Sequence, residues 1–193
     1  MGRAQEIEDY CKNKEYNLLK IIVDSLPTAL NGHIFADLLS KFNCAMNEAF
    51  EKVQKHPTKG TIEYICISFL HTSLNTQEFD FRVDCYNENF YLDETECESY
   101  FSIPILFNLQ FDYSYFEREL RKKYIRVMEY EIWDQVLYFQ RFRLGIGALL
   151  LKAIVSAVDY SKFAPFSANV VHVLYGGFWD KTIELTTFFK EEG

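Results

Sequence analysis

The segment Glu78–Cys85 alternates strictly, with Phe79, Phe81, Val83 and Cys85 on one side and Asp80, Arg82 and Asp84 on the other. That period of two marks a half-buried strand. A second β-rich run, Thr61–Leu74, precedes it across Asn75-Thr76-Gln77, so the pattern predicts a central hairpin near residues 61–92. Facing partners set its register. A three-residue loop at 75–77, or one of equal parity, places Ile67 opposite Cys85, Phe69 opposite Val83, Asp84 opposite Ser68 and Asp80 opposite Thr72. A two-residue loop would mix the apolar and polar faces. His71 falls on the apolar side near the turn, as a rim residue. Asn87-Glu88-Asn89 is a second turn signal, after which Phe90–Leu92 reads as a short third strand.

Upstream, residues 4–56 follow the helical period. Tyr16, Leu19, Ile22, Val23 and Leu26 recur until Pro27, which is expected to stop the first helix because proline lacks a donor and restricts its predecessor. Asn31 is the expected N-cap of a second helix. Its stripe is Ile34 or Phe35, Leu38, Phe42, Ala45, Ala49 and Val53, closing near His56-Pro57. Downstream, Asp93 with Glu96 has the spacing of a capping box for a short helix. Residues 103–111 fit a strand or a buried helical turn. Ser114 with Glu117 predicts another helix start, and two overlapping stripes follow. The first is Phe116, Leu120, Tyr124 and Val127; the second is Ile125, Met128, Ile132, Val136 and Phe139. Glu117 and Arg121 have the spacing of a helical ion pair.

Gly145 and Gly147 interrupt this pattern before an apolar helix, Ala148–Tyr160, with Pro165 closing the section. The β-branched run around Gly176-Gly177 suggests a second hairpin near 169–188, with a helix as the alternative for 178–189. The whole reads as one α+β domain, residues 1–193, with an antiparallel sheet packed against several helices.

Composition narrows the class. Of 193 residues 49% are hydrophobic, enough for a sizeable core, and the 18 Phe and 13 Tyr are expected to fill it. The five cysteines, at 11, 44, 66, 85 and 97, form no CxxC, which argues against zinc and a disulfide framework and for a reducing compartment. The opening stretch has no apolar signal region, and the run Leu144–Val158 is interrupted by Lys152. The expectation is a cytoplasmic protein with no membrane association.

Charge is unevenly placed. Residues 61–116 carry ten acidic side chains against one basic, Arg82, whereas residues 1–60 balance eight against eight. That field repels nucleic-acid phosphate and suits a basic partner protein. Asp80, Arg82, Asp84, Glu94 and Glu96 are the expected partner-binding residues. A basic stripe, Arg118, Lys122 and Arg126, reads as a solvated helical face.

No calcium-loop spacing, HExxH, Walker loop or GxSxG occurs, and no residues are picked out as catalytic, metal-binding or cofactor-binding on spacing alone. One stretch, Arg141-Phe142-Arg143-Leu144-Gly145-Ile146-Gly147, resembles the acyl-CoA loop of acetyl-CoA-dependent N-acetyltransferases. The resemblance implies a turn at Gly145 and Gly147 that opens a helix and offers backbone N–H groups to a pyrophosphate. Position 142, where that loop would carry a basic residue, is Phe. The leading expectation is a non-catalytic interaction or regulatory module, immunity-like in kind. A small enzyme or ligand-binding protein of the acyl-CoA type is the alternative.

Overall fold

The architecture comes from a computed structural model, which describes residues 2–30, 33–70, 78–104, 113–177 and 181–189. Four α-helices and five strands are set out among them. The helices are α1 (Arg3–Leu30), α2 (His33–Lys55), α3 (Tyr113–Lys123) and α4 (Glu129–Ser156). The strands are β1 (Ile62–Phe69), β2 (Glu78–Tyr86), β3 (Glu98–Pro104), β4 (Ser167–Gly177) and β5 (Thr182–Phe189). They form one open sheet in the order β3-β2-β1-β4-β5. The fold is α+β, as the alternation and helical stripes predict. All neighbours are antiparallel except β1 and β4, which run parallel through the connection that contains α3 and α4.

The alternation in β2 sorts as expected: Phe81, Val83 and Cys85 are fully buried. They meet Ile65, Ile67 and Phe69 of β1 and Val171, Val173 and Tyr175 of β4 in one core. On α2, Leu38, Phe42, Ala45, Ala49 and Val53 are buried, so that helix covers β2 and β3 with its predicted stripe. Helix α4 covers β4 and β5 and touches α2. Helix α1 contacts both, and its first turns make a separate small cluster, Ile7 and Cys11 with Leu120 of α3.

Several expectations are corrected. The hairpin keeps the predicted parity but is displaced by two residues: Ile67 faces Val83, Ile65 faces Cys85, Ser68 faces Arg82 and Cys66 faces Asp84. A slip of two leaves every side chain on its face, so alternation cannot detect it. Helix α1 runs through Pro27 to Leu30 rather than stopping at the proline, although Pro27 offers no N–H to the residue-23 carbonyl. Phe90–Leu92 is a 3-10 turn rather than a strand, and no helix starts at Asp93. The third strand is β3 instead. Ser114 lies inside α3 rather than capping it. The long helix expected from residue 114 onward breaks between α3 and α4, where Arg126 has a φ of 58°. The stripe Arg118, Lys122 and Arg126 therefore does not share one helical face. Glu117 and Arg121 do pair, at 2.7 Å. The second hairpin is formed by β4 and β5, so 182–189 is strand. Asn31, His71, the loop 75–77 and most of 103–111 lie outside the described residues.

Gly145 and Gly147 lie in the interior of α4, not in a loop that opens a helix. Intrahelical bonding takes their N–H groups, so the pyrophosphate cradle implied by the acyl-CoA resemblance is not formed there. Gly147 has a packing reason instead. A Cβ at this position would collide with the Tyr175 hydroxyl, which donates a 2.9 Å hydrogen bond to the Leu144 carbonyl. A Cβ at Gly145 meets open space. Gly147→Ala should therefore destabilise the protein by about 1–3 kcal/mol through overpacking. Gly145→Ala should stabilise it by about 0.5–1 kcal/mol through reduced backbone freedom. Urea denaturation of the two variants checks the contrast; equal effects would contradict this role for Tyr175.

Candidate functional site

The acidic region is shaped by a lysine. Pro57–Lys59 forms a short 3-10 turn, and Gly60, at a φ of 75°, then swings the chain into β1. A side chain there would be strained. The turn places Lys59 beneath the β2–β3 connection, where it is 1% exposed. Its Nζ lies 2.7 Å from Asp93 Oδ2, also donates to the Thr95 carbonyl, and stands 5.5 Å from the centre of the Tyr86 ring. The lysine's own carbonyl accepts from Asn87 Nδ2 at 2.8 Å.

Asp93 completes the arrangement. Besides Lys59, its carboxylate accepts from the backbone N–H groups of Asn87 at 3.2 Å and Thr95 at 3.1 Å. Burial pushes the Asp93 carboxyl up, but the hydrogen bonds from Lys59, Asn87 and Thr95 outweigh it and hold the group below its ordinary value. Asn87 Oδ1 accepts from the Asn89 N–H at 2.9 Å, and Phe90 follows with a left-handed φ of 51°. For a bulky residue that conformation carries strain. Ring contacts with Tyr64, at 4.7 Å, and Tyr86, at 5.6 Å, hold it.

The loop so anchored presents Glu88, Glu94 and Glu96 to solvent beside Tyr91 and Leu92, the latter 84% exposed. Among the described residues no cation forms an ion pair with Glu88 or Glu94. The strand-borne acids are different. Asp84 is buried and bonded by Arg82 through Nε at 2.8 Å and Nη2 at 2.6 Å. Burial pushes the Asp84 carboxyl up, and Arg82 pulls it back without cancelling the shift. Burial also opposes the charge of Arg82, yet Asp84 outweighs that and keeps the guanidinium firmly protonated. Asp80 accepts from Ser102 Oγ at 2.6 Å, and Glu96 stands 3.9 Å from Arg82. Of the five residues singled out in the sequence, the structure brings Arg82, Asp84 and Glu96 together. Asp80 sits further along the same face of β2, and Glu94 stands on the loop.

The sheet face away from the core also carries rings that the alternation did not single out. His172 Nδ1 meets Glu184 Oε2 at 2.6 Å, Tyr64 stacks on His172 at 5.7 Å, and Phe90, Tyr86 and Tyr91 continue the row. Lys59 was missed as well, because a lysine after a proline turn carries no local mark of burial. The only signal for it was the excess of carboxylates around Asp93.

Chemically, the region offers charge and aromatic surface. Burial pushes the Cys66 thiol well up, which leaves it a poor nucleophile. Among the described residues no group of three or more His, Cys, Asp or Glu side chains is placed to hold a metal ion. No single described helix is long and apolar enough to cross a membrane. No protein-family model, curated protein or solved structure matches the chain.

Removing one partner of the buried pair strands the other. Asp93→Ala should cost about 3–5 kcal/mol near neutral pH, and Lys59→Met with Asp93→Leu should cost clearly less than Asp93→Ala. The folded chain keeps Asp93 ionised to lower pH than the unfolded chain does. Its stabilisation is thus complete above the ordinary aspartate value and is lost as pH falls through the depressed one. Chemical denaturation at neutral pH and below pH of about 4 should show the gap between wild type and Asp93→Ala closing in acid. A gap that widens in acid would contradict the pair.

Proposed function

We propose that this chain is a non-catalytic protein–protein interaction module, regulatory or immunity-like in kind, that offers its acidic region to a basic partner protein. The observation that carries the reading is the exposure of Glu88, Glu94 and Glu96 around Tyr91 and Leu92, on a loop fixed by buried Lys59 and Asp93. Interfaces join aromatic or aliphatic anchors to a charged rim, and a rigid loop loses little entropy on docking. The ten carboxylates against one cation in residues 61–116 add a field that speeds encounter with a basic surface. Asp84 contributes less than its position in the sequence suggests, because Arg82 already neutralises it. The contact surface thus centres on the β2–β3 connection, with Glu94 and Glu96 in it and Asp80, Arg82 and Asp84 behind it.

The test is affinity capture with the tagged chain from cells of its own source. Wild type should retain a basic protein, and the triple variant Glu88→Lys, Glu94→Lys, Glu96→Lys should lose it while unfolding at the same temperature. Association should slow by about tenfold or more between low and high salt, as steering by exposed charge requires. Retention that ignores both the charge reversal and the salt would overturn the reading.

A further inference from the structure

The sheet has two edges, and they are treated differently. At β5 the ladder with β4 is broken by a register shift opposite Val173 and Leu174, a bulge that disturbs regular pairing. At β3 the pairing with β2 is regular from Glu78 opposite Pro104 to Asp84 opposite Glu98. Strand β3 holds no lysine, and its proline sits at the last position. Natural sheets blunt their edges with lysines, bulges or covering segments. Among the described residues no strand pairs with the outer side of β3; of its outward-facing backbone groups, the Glu98 carbonyl accepts from Lys52 Nζ at 2.6 Å.

Alongside that edge runs a groove. Cys44, Ala45 and Glu48 of α2 form one wall, and Tyr100, Phe101 and Ser102 of β3 form the other. The two elements are locked together by Ser99 Oγ, which donates to the Ala45 carbonyl at 2.6 Å, and by Lys52 Nζ, which meets Glu98 Oε1 at 2.7 Å. These contacts also show that α2 runs antiparallel to β3, with Lys52 near the start of the strand. Charge along the groove is graded. Lys41, at the far end, is paired with Asp37 at 3.0 Å, whereas Glu48 accepts from the Cys44 thiol at 3.6 Å and forms no ion pair among the described residues. Glu96 stands just before β3 with its side chain 74% exposed, on the sheet face away from α2.

We infer that β3 and the α2 groove form a docking site for an extended, basic segment of the partner, which adds to the sheet as a sixth strand beyond β3. The inference rests on the basic-partner reading above and states how the partner binds. An incoming strand satisfies the outward backbone groups, and its side chains alternate between the two faces of the sheet. Those on the α2 side lie over Ala45 and Phe101, with a cation reaching Glu48. Those on the other side pass Tyr100, which is 56% exposed, and place a cation near Glu96.

Cys44 supplies the test, because it is exposed while Cys11, Cys66, Cys85 and Cys97 are buried. The probe is a synthetic seven-residue peptide, Lys-Val-Val-Lys-Val-Val-Lys with blocked ends, whose lysines fall on both faces of a strand, with a glutamate-for-lysine version as control. Binding is followed by NMR, with amide exchange read at residues 98–103. The lysine peptide should bind and slow exchange along β3. Alkylating Cys44 with N-ethylmaleimide, or Cys44→Trp, should weaken binding by about tenfold or more, and Glu48→Lys likewise, as loss of one charge-assisted contact implies. Alkylation of Cys44→Ser should change nothing.

Peptide binding without protection at β3, and insensitive to Cys44, would overturn strand addition and leave the acidic-loop reading standing. No binding of the lysine peptide would count against both. Slow exchange along β3 before any peptide is added, with a chain that sediments as a dimer, would show a second copy on the edge and overturn the inference.

Discussion

A lysine and an aspartate taken out of water together hold the acidic half of this protein in shape. Neither is tolerable alone at that depth, since a buried charge without a partner costs several kcal/mol. Together they bind the turn before β1 to the connection after β2, two segments that share no strand pairing. Asn87 Nδ2 and the Lys59 carbonyl repeat the same link through uncharged groups. The consequence is a loop that is polar on its outside and closed on its inside. Glu88, Glu94 and Glu96 stand on its solvent side, while Asp93 pairs with the buried Lys59 beneath.

The molecule thus handles its carboxylates in two ways. On β2 and β3, Asp84 is satisfied by Arg82 and Asp80 by Ser102 within the sheet, and Glu98 by Lys52 of α2. On the connection, Asp93 is buried with Lys59, whereas Glu88, Glu94 and Glu96 face the solvent. A recognition surface needs groups whose hydrogen-bonding capacity is not already spent, and this division separates the two kinds within one short stretch of chain. The same stretch sits at the β3 side of the sheet, so loop, edge and groove are neighbours.

How much of this was legible in the sequence depended on the range of the forces involved. The period of two in β2 and the stripe of α2 are local records of burial, and Phe81, Val83, Cys85, Phe42 and Ala49 sit where those patterns place them. The hairpin register was legible only to its parity. The two glycines of α4 looked like a break because helix propensity is local, whereas the fit of Gly147 against Tyr175 is made by a strand about thirty residues away. The broken helix near Arg126 hides behind continuous amphipathic spacing. In the candidate site, the charge excess was visible, but its division into paired and exposed acids was not. Arg82 could be matched to Asp84 only when both stood on one face, and Lys59 carries no sign of its depth.

The parallel pairing of β1 with β4 has a bearing on how the chain assembles. Strand β1 is central, and Ile62 lies beside Ser167, about a hundred residues further along. On one side its neighbour β2 is supplied by the next segment of chain, but on the other it must wait for almost all of the remaining protein. Closing so long a loop is entropically expensive, and folds governed by such distant contacts form slowly. Until β4 arrives, the apolar row Ile65, Ile67 and Phe69 ends at an unpaired border. A strand that is central in the finished protein is therefore exposed along one border during synthesis, where it can meet another chain.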